Sequence, residues 1–316
     1  MSAISLQGGK TMPGASAPQA AADPFDLANG PAYRAWRDKK LQDAERALSA
    51  EVIEIADLAR PDATEMAAIS AACAATNMAI YRAPSLLGDE NRTRAALAEF
   101  AAAFGLKSFE EHRSSAADGI VPIEVTDSGG RAGFIPYSDK AINWHTDGYY
   151  SYKSNDRMIR SMVLHCVRNA AEGGENGLLD QDIAYIRLRD ANPAYITALM
   201  HPQAMTIPAF EDEGGASHGE VAGPVFVASG DRIAMRYTIR KRNVIWRDDP
   251  VLAAALAALS DVLANDPLIR RRRLSANEGV ICNNVLHDRK AFTNTSNAGA
   301  GRLLYRIRSY NAVRSA

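Results

Sequence analysis

An imidazole and a carboxylate stand two residues apart in Trp144-His145-Thr146-Asp147-Gly148. They follow Lys140-Ala141-Ile142-Asn143-Trp144, a run that reads as a β-strand. In an extended chain residues i and i+2 point to the same face, so His145 and Asp147 can approach one metal ion without special backbone geometry. Two ligands do not make a site. The best third donor is His287, in Asn283-Asn284-Val285-Leu286-His287-Asp288. Two imidazoles and one carboxylate on one face of an octahedron suit Fe(II) and leave positions open for other ligands.

An H-x-D tripeptide is weak by itself, and of the six histidines His112, His165, His201 and His218 have no comparable company. The residues beyond His287 strengthen the reading. Arg302 opens a strand-like run, Arg302-Leu303-Leu304-Tyr305-Arg306-Ile307-Arg308-Ser309-Tyr310. A guanidinium entering a mostly apolar strand is costly to bury unless a carboxylate meets it. Arginine binds carboxylates through two parallel hydrogen bonds, so a carboxylate is the group Arg302 would meet.

With H-x-D, a distal histidine and an arginine shortly beyond it, the chain resembles the Fe(II)/2-oxoglutarate-dependent dioxygenases. It is most similar to the branch containing taurine dioxygenase, γ-butyrobetaine hydroxylase and clavaminate synthase. The run Ile159-Arg160-Ser161-Met162-Val163-Leu164-His165-Cys166, followed by Gly173-Gly174-Glu175-Asn176-Gly177-Leu178-Leu179-Asp180, is similar to that branch's strand and G-G-[DE]-[ST] turn. The resemblance covers roughly residues 120–312. It implies His145, Asp147 and His287 on Fe(II), and 2-oxoglutarate and O2 as cosubstrates, with succinate and CO2 released. It places Arg302 on the far carboxylate of 2-oxoglutarate. Arg306 would meet an acidic group of the substrate or support the cosubstrate. Asn176 departs from the family's Ser or Thr, but its amide can still donate to the cosubstrate. Relatives that halogenate lack the carboxylate ligand; with Asp147 present, hydroxylation or a related oxidation is expected.

Trp144, Tyr149, Tyr150 and Tyr152 cluster beside the ligands and read either as a substrate wall or as packing. Residues 106–140, with Gly119, Gly129, Gly130 and Gly133, read as an active-site lid or as a surface connection. Arg306 and the aromatic cluster lean towards a small acidic or zwitterionic metabolite.

The rest of the chain is ordinary for a soluble protein. Its 316 residues are 47% hydrophobic and 23% charged, with net charge −1, so nothing points to nucleic acid or a membrane surface. Arg270-Arg271-Arg272-Arg273 reads as a solvated strand face rather than a phosphate patch. Cys73, Cys166 and Cys282 lack C-x-x-C spacing, which fits a reducing, cytoplasmic setting. No apolar run is long enough to span a membrane, and no secretory signal is evident. A homo-oligomer is compatible with all of this.

Residues 1–30, rich in Ala, Gly, Pro and Ser, are expected to be a flexible tail, and 31–316 a single dioxygenase domain. Within it, 31–119 reads as mostly helical, with helices near 32–49, 63–76 and 90–104. Many short strands across 120–316, interrupted by helices near 183–191, 192–200 and 250–265, argue for a jelly-roll core. The expected class is α+β, mainly β, with a double-stranded β-helix and flanking helices. Two other readings stay open: a jelly-roll metalloprotein with a 2-oxoglutarate-independent reaction, and a catalytically silent metal-binding sensor. Arg302 discriminates against both.

Overall fold

Helix starts follow from the capping residues. The Asn29 side chain accepts from the Ala32 N–H, and a proline occupies the first turn of α1 (Gly30–Leu48). Asp62 and Glu65 close a reciprocal capping box that opens α2 (Ala63–Thr76). Asp89 caps α3 (Glu90–Ala103), Asp180 caps α4 (Gln181–Ala191) and Asn192 caps α5 (Pro193–Leu199). Asp249 accepts from two N–H groups at the start of α6 (Pro250–Asn265). The computed structural model describes residues 23–84, 89–110, 118–126, 134–211, 217–229, 232–240, 244–294 and 301–314.

Before α4 the strands are β1 (Ile53–Glu54), β2 (Met78–Arg82), β3 (Ile120–Ile123), β4 (Ile142–His145), β5 (Ser161–Arg168), β6 (Glu172–Gly173) and β7 (Asn176–Leu179). Short strands fill the stretch between α5 and α6: β8 (Met205–Ile207), β9 (Phe210–Glu211), β10 (Ser217–His218), β11 (Val221–Gly223), β12 (Phe226–Ser229), β13 (Arg232–Met235) and β14 (Ile245–Trp246). After α6 come β15 (Arg270–Arg272), β16 (Glu278–Cys282), β17 (Leu286–Arg289), β18 (Phe292–Thr293) and β19 (Leu303–Ser309). The result is a mixed α/β fold built on two larger sheets, ordered β1-β2-β16-β5-β19-β3 and β15-β7-β17-β4.

Alternation decides what each sheet face meets. Met162, Cys166, Val121, Val280 and Leu304 of the first sheet pack in one cluster with Leu178 of the second, so the two sheets face each other. On the first sheet's other face, Val163, Ile281, Tyr305 and Ile307 pack on α2 and α3 through Ile69, Leu97 and Phe100. Trp144, Leu179 and Leu286 leave the second sheet's outer face and join Ile183, Leu199 and Leu259 of α4, α5 and α6. Because β2 sits inside the larger sheet, the helical N-terminal part is continuous with the core.

Three expectations need correction or limits. Residues 23–29 are not a free tail: Phe25 is buried against Trp36 and Tyr185, and Arg189 donates to the carbonyls of Pro24 and Asp26. Residues 1–22 lie outside the described residues. The arginine run forms a partly exposed strand face, with its guanidiniums engaged by partners. Arg271 and Arg273 are exposed and Arg272 half-buried, yet Arg271 pairs with Asp288, Arg272 with Glu278, and Arg273 donates to two backbone carbonyls, with β15 alongside β7. Of the expected lid, 111–117 and 127–133, with Gly129, Gly130 and Gly133, lie outside the described residues. Its start docks on β19, where Glu110 N–H donates to Arg308 O.

His165 and Asp182 set opposing acid responses. His165 is buried beside the Tyr81 hydroxyl at 3.2 Å, and burial lowers its pKa to about 4. The unfolded chain therefore binds the extra proton, so this contribution is full above pH ~6.5 and is lost as pH falls towards 4, roughly 3 kcal/mol in all. Asp182, pushed up to about 6 by burial and by Asp180, acts the other way: its contribution is present at low pH and lost as pH rises through 6. In His165→Gln the loss of stability between about pH 7 and about pH 5 is expected to shrink, leaving the parts due to His145 and Asp182, as read by denaturant unfolding at the two pH values. An unchanged acid loss in that variant would assign the loss to other groups.

Candidate active site

Cross-strand register brings the two histidines together. β17 pairs antiparallel with β4, and His287 lies directly opposite His145, with ring centroids 4.2 Å apart. Each Nδ1 sits on the carbonyl two residues earlier: His145 on Asn143 O at 2.8 Å, His287 on Val285 O at 2.9 Å. A donor N–H on each Nδ1 leaves both Nε2 lone pairs free, which fixes the tautomer a metal requires. The His145 ring keeps an accessible edge, yet it lies deep enough that burial, aided by His287, lowers its pKa to about 3.

Asp147 stands past the end of β4 and needs its own support. Its N–H donates to Asn284 Oδ1 at 2.9 Å, and the Asn284 amide donates back to Asp147 O and to Ile159 O. Gly148 follows with φ 70°, where an added Cβ would lie 2.4 Å from Ile159 Cγ1, so the turn requires glycine. The carboxylate is buried with its two oxygens in different surroundings. Oδ1 lies 3.1 Å from Arg306 Nη1 and 3.6 Å from Arg308 Nη1, whereas Oδ2 has no hydrogen-bond partner. Burial would raise this carboxyl's pKa, but Arg306 and Arg308 outweigh burial and hold it below the usual carboxylate range.

An orphaned buried carboxylate oxygen and two free imidazole nitrogens fit a metal ion. One ligand atom from each of His145, Asp147 and His287 lies within 4.8 Å of the others, the only such grouping among the described residues.

Behind Asp147 the charges continue. Arg308 also pairs with Glu110 and donates to the Tyr150 hydroxyl at 2.8 Å. Burial raises the Glu110 pKa despite Arg308. Burial opposes the Arg308 charge, but Tyr150, Asp147 and Glu110 outweigh it and raise its pKa.

A second cluster of buried charge lies at the start of β19. Arg302 is buried, and burial lowers its pKa to about 10. Among the described residues no carboxylate pairs with it. Its guanidinium lies 4.9 Å from the Phe292 ring centroid, as does that of Arg289. Gly174 is required by its φ of 73° rather than by space, since an added Cβ would make only ordinary contact with Arg302 Nε at 3.5 Å. Arg289, also buried, donates to the carbonyls of Pro136, Ser138 and Lys140, and burial followed by Arg302 lowers its pKa to about 9.

The aromatic cluster divides. The Tyr149 ring stands edge-on to His145 at 6.5 Å, and Tyr150 reaches Arg308. Trp144 has the opposite parity to His145 and packs in the outer core beneath Arg271. Tyr152 turns away to Asn155 and Arg236. The Asn176 amide donates, at 3.4 Å each, to the carbonyls of Gly174 and Arg272. Glu110, Asn284, Arg289 and Arg308 were not among the sequence candidates. For Arg308 a signal existed, since it shares the parity of Arg302 and Arg306; the other three give none without tertiary contacts.

A profile of the taurine catabolism dioxygenase TauD, TfdA family matches residues 37–308. The chain belongs to this family. Members use Fe(II), 2-oxoglutarate and O2, in accord with the triad and the unpaired arginine. Among curated proteins, a uridine-5'-phosphate dioxygenase from Streptomyces sp is 30% identical over 118 residues, covering 36% of this chain and only 39% of that relative. Among solved structures, the non-heme iron oxygenase OrfP in complex with Fe, succinate and (3S)-hydroxy-L-Arg superposes with TM-score 0.59 at 16% identity, covering 89% of this chain and 92% of that one. Asparagine oxygenase in complex with Fe(II), 2S,3S-3-hydroxyasparagine and succinate gives TM-score 0.53 at 15% identity, covering 87% and 91%. At these identities the likeness is one of fold.

Proposed function

We propose that this TauD/TfdA family member is an Fe(II)- and 2-oxoglutarate-dependent oxygenase that hydroxylates a small anionic metabolite. The observation that carries the reading is the pairing of two sites: three converging donors with an orphaned Asp147 oxygen, and a buried Arg302 with no carboxylate of its own. His145, Asp147 and His287 would hold the iron, and Arg302 the far carboxylate of the cosubstrate, while the Asn176 amide is engaged by the Gly174 and Arg272 carbonyls. Bound iron and 2-oxoglutarate supply the oxidising power for attack on a C–H bond; the protein's task is to orient the reactants and keep water out. The two facing sheets serve as the halves of a double-stranded β-helix, and residues 31–316 act as one catalytic unit.

Charge favours an acidic substrate. Arg289, Arg302, Arg306 and Arg308 are buried or nearly so around the metal site and the start of β19, against the carboxylates of Glu110 and Asp147. A dianionic cosubstrate offsets the surplus arginines, which leaves the charge of the metal for an anionic substrate group. Arg306, beside Asp147, and Tyr149, beside His145, are positioned to meet it. The uridine-5'-phosphate dioxygenase, whose name specifies a phosphate-bearing compound, is consistent with this class. Three free buried cysteines suit a cytoplasmic setting, and no described helix is long and apolar enough to cross a membrane.

The test is turnover under 18-O dioxygen with Fe(II), 2-oxoglutarate and a panel of small carboxylates and phosphates. Labelled succinate formed in step with a product heavier by one oxygen is expected, without chlorinated species at high chloride. Unlabelled succinate overturns the cosubstrate reading, and a chlorinated product overturns the role of Asp147.

A further inference from the structure

Arg302 does not stand alone at the start of β19. Arg289, also buried, brings a second guanidinium to the same distance, 4.9 Å, from the Phe292 ring centroid; neither forms an ion pair among the described residues, and the exposed Asp139 carboxylate offsets only part of the Arg289 charge. Phe292 is itself held in place: its N–H donates to Asp139 O, and β18 pairs with β6, placing it opposite Gly173 at the double-glycine turn. Gly173 permits this approach, since an added Cβ would come 2.3 Å from Ala291 O.

The contacts of Arg289 use its hydrogens without neutralising its charge. Its Nη atoms donate to the carbonyls of Pro136, Ser138 and Lys140, while Nε has no partner. If the fold needed only a tie between β17 and the segment ahead of β4, a neutral donor could supply it. A buried cation that no ion pair neutralises is costly, and here two stand against the same ring, near enough that Arg302 helps to lower the Arg289 pKa. A negative group that approaches both lowers the free energy of the pair.

Building on the proposed cosubstrate site, we propose that Arg289 is a specificity-determining residue, whose buried charge joins that of Arg302 to select 2-oxo acids bearing a second, distal carboxylate. Arg302 makes the direct contact. Arg289 acts through its field and by fixing the Pro136–Lys140 backbone. The selection excludes 2-oxo acids with an apolar end, which would leave both cations unmatched.

Anaerobic calorimetric titration of the Fe(II)-loaded protein tests this with two probes, 2-oxoglutarate and 2-oxopentanoate, in which a methyl group replaces the distal carboxylate. The wild type is expected to prefer 2-oxoglutarate strongly. In Arg289→Gln that preference should shrink by about tenfold, through weaker 2-oxoglutarate binding with 2-oxopentanoate nearly unchanged; that corresponds to about 1.4 kcal/mol. Arg289→Lys keeps the charge and should retain most of the preference. If both variants bind the two probes more weakly by equal factors, Arg289 is only a backbone tie and the inference is overturned. Unchanged preference in Arg289→Gln overturns it as well. A wild type that binds neither probe refutes instead the proposed cosubstrate site.

Discussion

Fe(II)-dependent succinate formation is expected to fall by at least about a thousandfold, equivalent to roughly 4 kcal/mol, when His287 is replaced by Ala. His287 sits opposite His145 across the β17–β4 ladder, so its removal takes away one of three converging donors and leaves β17 otherwise paired. The fold should persist, because the ring is only partly buried and its own hydrogen bond is to the nearby Val285 carbonyl. Redox-inert Mn(II) gives a readout independent of turnover. At about a hundred times its dissociation constant it should stabilise the wild type by about 2.7 kcal/mol and His287→Ala hardly at all. Asp147→Ala is a less clean variant. It strips the carboxylate from Arg306 and leaves Arg308 to Glu110 and the Tyr150 hydroxyl, and breaking a buried ion pair costs about 3–5 kcal/mol. Melting temperatures should therefore drop in Asp147→Ala but not in His287→Ala. Full Mn(II) binding and turnover in His287→Ala would remove that residue from the site.

For Arg302→Ala the expected loss is 2-oxoglutarate affinity, by roughly 30-fold or more, corresponding to about 2–5 kcal/mol for a charge-assisted pair shielded from water. The metal-free protein should lose little stability in exchange, because the variant also removes a buried cation that no carboxylate offsets. Lost packing on the Phe292 ring works against that gain. Binding of Mn(II) should survive, since Arg302 touches none of the three metal-site residues. Titration of 2-oxoglutarate into Arg302→Ala and Arg306→Ala compares the two arginines directly. Undiminished binding in Arg302→Ala with loss in Arg306→Ala would exchange the roles assigned to them. The present geometry argues against the exchange, as Arg306 already faces Asp147 Oδ1 at 3.1 Å.

The chain's chemistry was written in residue types and short spacings. His145 and Asp147 are two apart on an extended segment, so period-two alternation alone puts them on one face. Arg302 and Arg306 share a parity in the same way, and capping residues such as Asp62 and Asp249 start α2 and α6 where the sequence places them. These are local rules, and local rules need no tertiary information.

What only the tertiary structure decided was pairing. That His287 faces His145 follows from the β17–β4 register, which rests on contacts between segments far apart in sequence. Parity also placed Trp144 away from the ligands, but only the packing of α4, α5 and α6 on the second sheet made that outer face core. The arginine run is partly exposed, but its pairing was hidden because its partners, Asp288 and Glu278, lie on β17 and β16. Phe25 and its neighbours looked like a tail because the aromatic groups that cover it come from α1 and α4. Glu110, Asn284 and Arg289 stayed hidden for the same reason. A charge or an amide takes its meaning from what it is buried beside, and that is fixed when distant strands meet.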